Sequence, residues 1–148
     1  MKKSSSLFLF PDVNVWVALT LESHVHNPIA ARWLAGLGAE CHLCFCRITQ
    51  MSLLRLLTTE SVMGAEVMSQ TEAWAVYDRW MTDTRMTFLV EPPGLEALFR
   101  GHSRGKTPTP KNWPDAYLVA FASAAKLTLV SFDRGLCHQT ADFQLLTS

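Results

Sequence analysis

The chain has 148 residues, a mass of 16.6 kDa and a formal net charge of zero at pH 7. This length fits one domain that buries a hydrophobic core without disulfides or a structural metal. Apolar residues make up 49% of the chain and charged residues 18%, a composition that excludes a disordered or fibrous protein. Residues 1–6 form a polar tail too short for a signal peptide, and no apolar stretch approaches the roughly 20 residues that cross a bilayer. We therefore expect one soluble cytoplasmic domain over residues 1–148, with no membrane association and its four cysteines reduced.

The first half of the chain alternates short apolar runs with helical patterns. An apolar run that ends at a proline predicts a buried strand, and apolar residues three and four apart predict a helix. An asparagine followed by a proline is typical of a capped helix start. The predicted elements are a strand at Leu7–Phe10, a helix at Val13–Leu21, a helix from Asn27, a strand at Glu40–Cys46 and a helix at Thr49–Thr58.

The second half continues the alternation. Ser69 and Glu72 have the spacing of a capping box ahead of a long amphipathic helix. Further elements are predicted as a strand at Thr87–Val90, a helix at Leu95–Arg100, a helix from Pro114 to Lys126, a strand at Leu127–Phe132 and an edge strand at Asp142–Leu146. Strands that alternate with helices indicate an α/β fold, with a central, mainly parallel sheet covered by helices on both faces.

Three aspartates lie where such a sheet brings functional groups together. Asp12 follows the first predicted strand and Asp133 follows a later one, so parallel strands place both at the same rim. Asp115 lies in the first turn of the predicted helix from Pro114 and can meet them there. Clustered carboxylates repel one another unless a cation or a proton neutralises them.

An all-oxygen ligand set favours Mg²⁺ or Mn²⁺ over Zn²⁺, and Mg²⁺ held by few carboxylates keeps positions open for phosphate oxygens. The pattern predicts metal-assisted phosphodiester hydrolysis. The alternative is that each aspartate is structural: Asp12 and Asp115 as helix caps, and Asp133 as a turn residue before Gly135. Spacing alone does not choose between these interpretations.

A basic segment precedes the helix that carries Asp115. Residues 100–111 include four cationic side chains and no acidic one, namely Arg100, Arg104, Lys106 and Lys111. Such a loop is most often a solvated surface, and contact with RNA phosphates is the functional alternative. Trp113 lies between this segment and Asp115, where it either stacks a base at the mouth of the site or packs in the core.

The second predicted strand offers a different metal site, built from Cys41, His42, Cys44 and Cys46. These residues lack the paired spacing of a structural zinc site. Within a strand, Cys44 and Cys46 share one face, so small buried residues are the better account.

Four short motifs are spread in order over nearly the whole chain. They are Phe10-Pro11-Asp12-Val13-Asn14, Arg47-Ile48-Thr49-Gln50, Trp113-Pro114-Asp115-Ala116 and Ser131-Phe132-Asp133-Arg134-Gly135. Together they resemble the motifs of PIN-domain ribonucleases, in particular the VapC-type toxins of bacterial toxin–antitoxin pairs. The resemblance implies a PIN-like three-layer α/β/α fold. It also implies a metal-dependent endoribonuclease that cuts tRNA or ribosomal RNA, is inhibited by a cognate antitoxin protein and forms homodimers.

The resemblance also assigns site residues. The matching positions are Asp12, Asp115 and Asp133 for the metal ligands, with Asn14 and Ser131 for the polar residues beside them. Gln50 stands where the family usually has a glutamate. A glutamine keeps an oxygen that can bind a metal but removes one negative charge. Glu60 is expected about three turns farther along the same helix, too distant to replace it.

Two functional interpretations therefore stay open. In the first, Gln50 is a weakened member of a catalytic site. In the second, the chain is a PIN-fold module that binds RNA or an antitoxin without cutting. A phospho-receiver domain is a more distant alternative, since such domains also gather aspartates at strand ends, but this chain lacks a lysine after a late strand at the rim.

Overall fold

A computed structural model of the chain describes residues 8–137, 139–140 and 142–147. The predicted tail at residues 1–6 and the first residue of the predicted strand, Leu7, lie outside the described residues. Within these ranges the strands are Phe8–Pro11 (β1), His42–Phe45 (β2), Met86–Phe88 (β3), Thr128–Ser131 (β4) and Phe143–Leu145 (β5). The α-helices are Val13–Thr20 (α1), Asn27–Ala35 (α2), Arg47–Leu57 (α3), Glu60–Met63 (α4), Gln70–Trp80 (α5), Leu95–His102 (α6) and Asn112–Ala125 (α7).

The strands form one sheet in the order β3-β2-β1-β4-β5, and every neighbouring pair is parallel. The chain moves outward from β1 to β3 and then returns to place β4 against the other side of β1. The loops that follow β1 and β4 therefore leave the sheet in opposite directions, which opens a crevice at the carboxyl ends of these strands. The predicted α/β architecture with a parallel sheet is confirmed.

Helices cover both faces of the sheet, because successive residues of a strand point to opposite sides. Leu9 of β1 packs into a core under α1, α3 and α5, whereas Phe10 packs into a second core under α6 and α7. Both side chains are almost fully buried. None of the helices in the described ranges is long and apolar enough to span a bilayer.

The cysteines of the second strand belong to this packing. Cys44 and Cys46 both point into the core under α6 and α7, as their spacing predicts, and Cys41 is also buried. Burial raises the pKa of the Cys44 thiol to about 12, which keeps it protonated and unreactive. His42 stacks on Phe8. These contacts favour the interpretation of the cysteines as buried packing residues over a zinc site.

Two predicted details of the helices are wrong. Asn27 does not cap α2: it is the first residue of that helix, and its side-chain amide donates to the carbonyl oxygen of Ala18 at 2.8 Å. Glu60 does not continue α3, because that helix ends at Leu57 and Glu60 begins the separate short helix α4. The predicted capping box of α5 is confirmed by two hydrogen bonds, Ser69 N–H to Glu72 at 2.8 Å and Glu72 N–H to Ser69 at 3.1 Å.

Candidate active site

Asp12 lies at the carboxyl end of β1, where it is the N-cap of α1. Its backbone N–H donates to the carbonyl oxygen of Val130 at 2.8 Å, which continues the pairing of β1 with β4 by one residue. Its Oδ1 accepts a hydrogen bond from the Val13 N–H at 2.7 Å, and the residue is only 9% exposed. Backbone contacts on both sides therefore fix this carboxylate in the crevice between the two central strands.

Ser131, the last residue of β4, connects the polar groups around Asp12. Its hydroxyl donates to Asp12 Oδ2 at 3.1 Å and accepts from the side-chain amide of Asn14 at 3.1 Å and from the Asp133 N–H at 2.9 Å. Asn14 Oδ1 accepts from the Phe132 N–H at 3.3 Å. Asn14 and Ser131, the two polar residues that the family resemblance places beside the aspartates, thus tie the start of α1 to the end of β4.

Asp133 follows β4 and caps a short 3₁₀ turn at Arg134–Leu136. Its Oδ1 accepts a hydrogen bond from the Gly135 N–H at 2.8 Å. A Cβ atom at position 135 would lie 3.1 Å from that oxygen, so glycine allows this close approach. The exposed Asp133 therefore has one oxygen engaged by the backbone, and no hydrogen bond engages its second oxygen among the described residues.

Asp115 reaches the same crevice from α7, on the other face of the sheet. It is half-buried and makes no hydrogen bond or ion pair to any other residue in the part of the chain that the structure describes. Asp12, Asp115 and Asp133 together form what we call the carboxylate crevice.

The three carboxylates act on one another electrostatically. Burial raises the pKa of Asp12, hydrogen bonds from Val13 and Ser131 lower it, and the charges of Asp115 and Asp133 raise it further. Burial also raises the pKa of Asp115, and the charge of Asp133 adds to that shift. Mutual repulsion of this kind couples the titration of neighbouring carboxylates.

No lysine or arginine offsets this repulsion within the described ranges, where the ion pairs join Arg85 to Asp83 and Arg100 to Glu96. An uncompensated group of oxygen ligands suits a hard divalent cation. As they stand, however, no three His, Cys, Asp or Glu side chains among the described residues are close enough to hold an ion together. Binding would have to draw the carboxylates of the crevice closer, and Asp115 is the one of the three that has no hydrogen bond among the described residues.

Gln50 lies in α3 and is 6% exposed. Its Oε1 accepts a hydrogen bond from Arg47 Nη1 at 2.7 Å. Its side chain also contacts Tyr77, whose pKa is raised by burial and lowered by this contact. No hydrogen bond joins Gln50 to the carboxylate crevice in the described part of the chain. The amide oxygen of Gln50 binds Arg47 instead.

The predicted RNA-binding residues occupy three different environments. Arg100 pairs with Glu96 on the exposed surface of α6, with a closest separation of 2.8 Å. Arg104, Lys106 and Trp113 line a cleft of about 440 Å³, which we call the basic cleft. The exposed Lys111 directly precedes α7.

Trp113 is 58% exposed, so the predicted alternative of core packing is wrong. One edge of its ring rests against Phe99 of α6, with ring centroids 6.1 Å apart. Trp113 and Asp115 lie two residues apart in the first turn of α7, and this turn joins the basic cleft to the carboxylate crevice.

Arg47 is a residue of this site for which the sequence predicts no role. Its guanidinium holds Gln50 and lies over the ring of Phe88, with 4.6 Å from Cζ to the ring centroid. The available signal was the spacing of three residues between Arg47 and Gln50 at the start of a helix, a spacing at which side chains meet.

Comparisons with known proteins identify the family and the fold. The model of the PIN domain family matches residues 9–141. The chain belongs to the PIN domain family. All the site residues discussed above fall inside the matched region. The resemblance found in the four sequence segments is thereby confirmed.

Two curated relatives of this PIN domain come from Mycobacterium tuberculosis. The chain is 43% identical to Ribonuclease VapC41 over 129 residues, which covers 84% of this chain and 88% of that protein. It is 30% identical to Ribonuclease VapC29 over 138 residues, which covers 91% and 92% of the two chains. These matches extend over most of each protein.

Solved structures share the fold at lower identity. The Sarcin-Ricin loop cleaving toxin VapC20 of Mycobacterium tuberculosis has a TM-score of 0.63 and 16% identity, over 94% of this chain and 99% of that one. VapBC2 from Rickettsia felis, bound to a DNA fragment from its promoter, gives a TM-score of 0.64 at 13% identity, over 93% and 96% of the two chains. The similarity supports a three-layer α/β/α PIN fold for this chain.

Proposed function

We propose that this PIN domain is an endoribonuclease of the VapC type, the toxin of a toxin–antitoxin pair, and that Asp12, Asp115 and Asp133 bind Mg²⁺ or Mn²⁺. The observation that carries the proposal is a set of three mutually repelling carboxylates at the crevice between the central strands. The 43% identity to a ribonuclease supports RNA as the substrate. A divalent ion in such a site supplies Lewis-acid polarisation of a phosphodiester and activation of water.

The chain's own residues contribute orientation. Ser131 and the Val13 N–H hold the two oxygens of Asp12 in fixed directions, which prevents the carboxylate from rotating away from the crevice. Asn14 stabilises this arrangement through the Ser131 hydroxyl, and the Gly135 N–H fixes one oxygen of Asp133. Groups that are already held in place need little movement when charge develops on a reacting phosphate.

The basic cleft would bind the RNA strand next to the crevice. We assign phosphate contacts to Arg104, Lys106 and Lys111, which are exposed and form no ion pair within the described residues. Arg100 would contribute less, because Glu96 already neutralises it. The exposed face of Trp113 would stack a base, an interaction that tolerates any base sequence.

The proposal includes a protein partner. The fold is shared with toxins solved in VapBC complexes, which supports a cognate antitoxin for this chain. We also propose a homodimer, as the family resemblance implies, and a cytoplasmic location, where the RNA substrate is found. A tRNA or a ribosomal RNA is the proposed target.

A second candidate function is a PIN-fold module that binds RNA or an antitoxin without cleavage. The observation that favours it is the engagement of Gln50 Oε1 by Arg47, which leaves three carboxylates rather than four acidic groups for the metal. Fewer ligand charges weaken divalent binding.

An RNA cleavage assay with Mg²⁺ and with Mn²⁺ tests the proposal. Wild type should cleave, and Asp12→Asn should lower the rate by about 100-fold or more, the scale for loss of one charged group in an active site. Asp78→Asn, an exposed position on α5, is the matched control and should cleave as wild type does. Equal cleavage by Asp12→Asn and wild type would sink the proposal, and binding without cleavage by wild type would support the second candidate.

A further inference from the structure

Arg47 lies at the same rim of the sheet as the carboxylate crevice. In the parallel pairing of β1 with β2, Phe8 lies opposite His42 and Leu9 opposite Leu43. Continued along both strands, this register brings Asp12 level with Cys46, the residue directly before Arg47. The first residue of α3 therefore emerges beside the strand end that carries Asp12, on the side of β2 and β3.

The guanidinium of Arg47 is held in place on two sides. Nη1 donates to Gln50 Oε1 at 2.7 Å, and the group lies 4.6 Å above the ring centroid of Phe88 at the end of β3. Gln50 itself is buried against Tyr77. An exposed arginine normally loses much side-chain freedom when it binds a ligand, and a group that is already held loses less.

The full positive charge of Arg47 remains available. Among the described residues no carboxylate pairs with it, and its acceptor, the Gln50 amide, is neutral. A guanidinium has five N–H donors in a planar fork that matches phosphate, and only one of them is used here. A glutamate at position 50 would hold the same group but cancel its charge.

From this arrangement we propose that Arg47 binds a phosphate of the RNA beside the carboxylate crevice, and that Gln50 positions Arg47 instead of binding the metal. The inference rests on the proposed function, because it needs an RNA strand at this rim. It assigns the neutral side chain of Gln50 a purpose: it orients a cation without neutralising it. Arg47 adds a phosphate contact on the β2 and β3 side of the crevice.

RNA binding tests the inference without requiring turnover. The affinity of a labelled single-stranded oligoribonucleotide of mixed sequence is measured in the Asp12→Asn background, as a function of salt. Arg47→Met, which keeps length but not charge, should weaken binding about 10-fold, the scale for a charged hydrogen bond, and reduce the salt slope by about 0.7. Arg55→Met is the matched control, since Arg55 is an exposed arginine on the same helix about 12 Å farther along its axis. It should change binding less than about twofold.

A double-mutant cycle tests the positioning role of Gln50. Gln50→Glu should weaken RNA binding nearly as much as Arg47→Met, because the new carboxylate pairs with Arg47, and it should have no further effect in the Arg47→Met background. A metal-ligand role predicts the reverse, with tighter Mg²⁺ binding and stronger RNA binding or faster cleavage in Gln50→Glu whether or not Arg47 is present. That result would overturn the inference.

The outcomes separate the inference from the proposed function. If wild type cleaves RNA while Arg47→Met binds and cleaves as wild type does, the inference fails and the nuclease stands. If binding depends on Arg47 but wild type does not cleave, the inference stands and the nuclease fails. Arg47 variants that lose affinity for a purified antitoxin but keep it for RNA would also overturn the inference, and no RNA binding at all would overturn both.

Discussion

The carboxylate crevice and the basic cleft meet on α7, yet they are built in opposite ways. In the crevice, Asp12 is 9% exposed and Ser131 is fully buried, and both bond to groups at the ends of the central strands. In the basic cleft, Arg104 and Lys106 project from an exposed loop between α6 and α7. Rigid strands place the reacting groups, and a loop presents the groups that contact a long substrate.

The two regions should differ in how well they tolerate amino-acid substitutions. A group fixed by buried hydrogen bonds cannot move without a cost in stability, so its position is reproducible. An exposed cation on a loop can shift or be replaced at little cost. Substitutions in the crevice should therefore alter stability, metal binding and cleavage together, whereas those in the basic cleft should alter RNA binding, and cleavage only through it.

The largest effect expected from this comparison is on the stability of Asp12→Asn relative to wild type, which should be lower with metal and higher without it. With Mg²⁺ at about 100 times its dissociation constant, wild type should gain about 2.7 kcal/mol, or about 5 to 10 °C in Tm, and Asp12→Asn should gain far less. Without metal the order should invert, because the variant removes a buried, repelled charge. Thermal unfolding with Mg²⁺ and with a chelator measures both.

The stability of the metal-free proteins should depend on pH because folding changes the pKa of Asp12. The folded state raises the pKa of Asp12, so the folded chain binds a proton more readily than the unfolded chain. The stability cost of this carboxylate is fully present above its raised pKa, decreases as the pH falls below that value and is gone below the pKa of the unfolded chain. The advantage of Asp12→Asn should shrink on acidification, and an advantage that grows would contradict this account.

Next in size is the effect of Ser131→Ala. The substitution removes a buried hydroxyl that bonds to Asp12, Asn14 and the Asp133 N–H, and should cost about 1 to 3 kcal/mol of unfolding free energy. Cleavage should fall about 10-fold or more, as when a group that orients a metal ligand is lost. Ser123→Ala, at an exposed position of α7, is the control for both measurements and should match wild type. Normal cleavage by Ser131→Ala would show that the crevice does not depend on this hydroxyl.

The smallest expected effect is a difference between Arg104 and Arg100 in the salt dependence of RNA binding. Arg104→Gln should reduce the slope of RNA affinity against salt by about 0.7, the value for one phosphate contact to a single strand. Arg100→Gln should change the slope by less than half as much, because Glu96 already pairs with Arg100. Glu96→Gln should free Arg100 and raise RNA affinity. Equal slopes for both arginine variants would show that the ion pair opens when RNA binds.

The sequence was sufficient to place the aspartates because their positions follow from short-range patterns. Apolar runs end at Asp12 and before Asp133, and parallel strands bring such ends to one rim. The sequence also predicts which side chains share a face of the sheet: Cys44 and Cys46 point into one core and Phe45 into the other. These features depend on periodicity, which is local.

The features that the sequence did not predict depend on partners from distant elements. The spacing of Arg47 and Gln50 allows their hydrogen bond, but the ring of Phe88 that holds the Arg47 guanidinium comes from β3, a distant element. Asn27 leaves the helix cap because a carbonyl of α1 competes for its side chain. The prediction that Trp113 packs in the core failed because α7 begins at Asn112, before Pro114, and its first turn faces the solvent. A single sequence carries no signal for competition of this kind.

The hydrogen bond from Ser131 to Asp12 joins residues 119 positions apart, across the two central strands. Its consequence concerns synthesis. A ribosome makes Asp12 early, but the serine that orients it and the third carboxylate, Asp133, emerge only after four of the five strands. Until Ser131 and Asp133 have been added, a growing chain therefore lacks a complete carboxylate crevice. The proposed cleavage of RNA would therefore begin only after residues near both ends of the matched PIN region have been synthesised and have folded together.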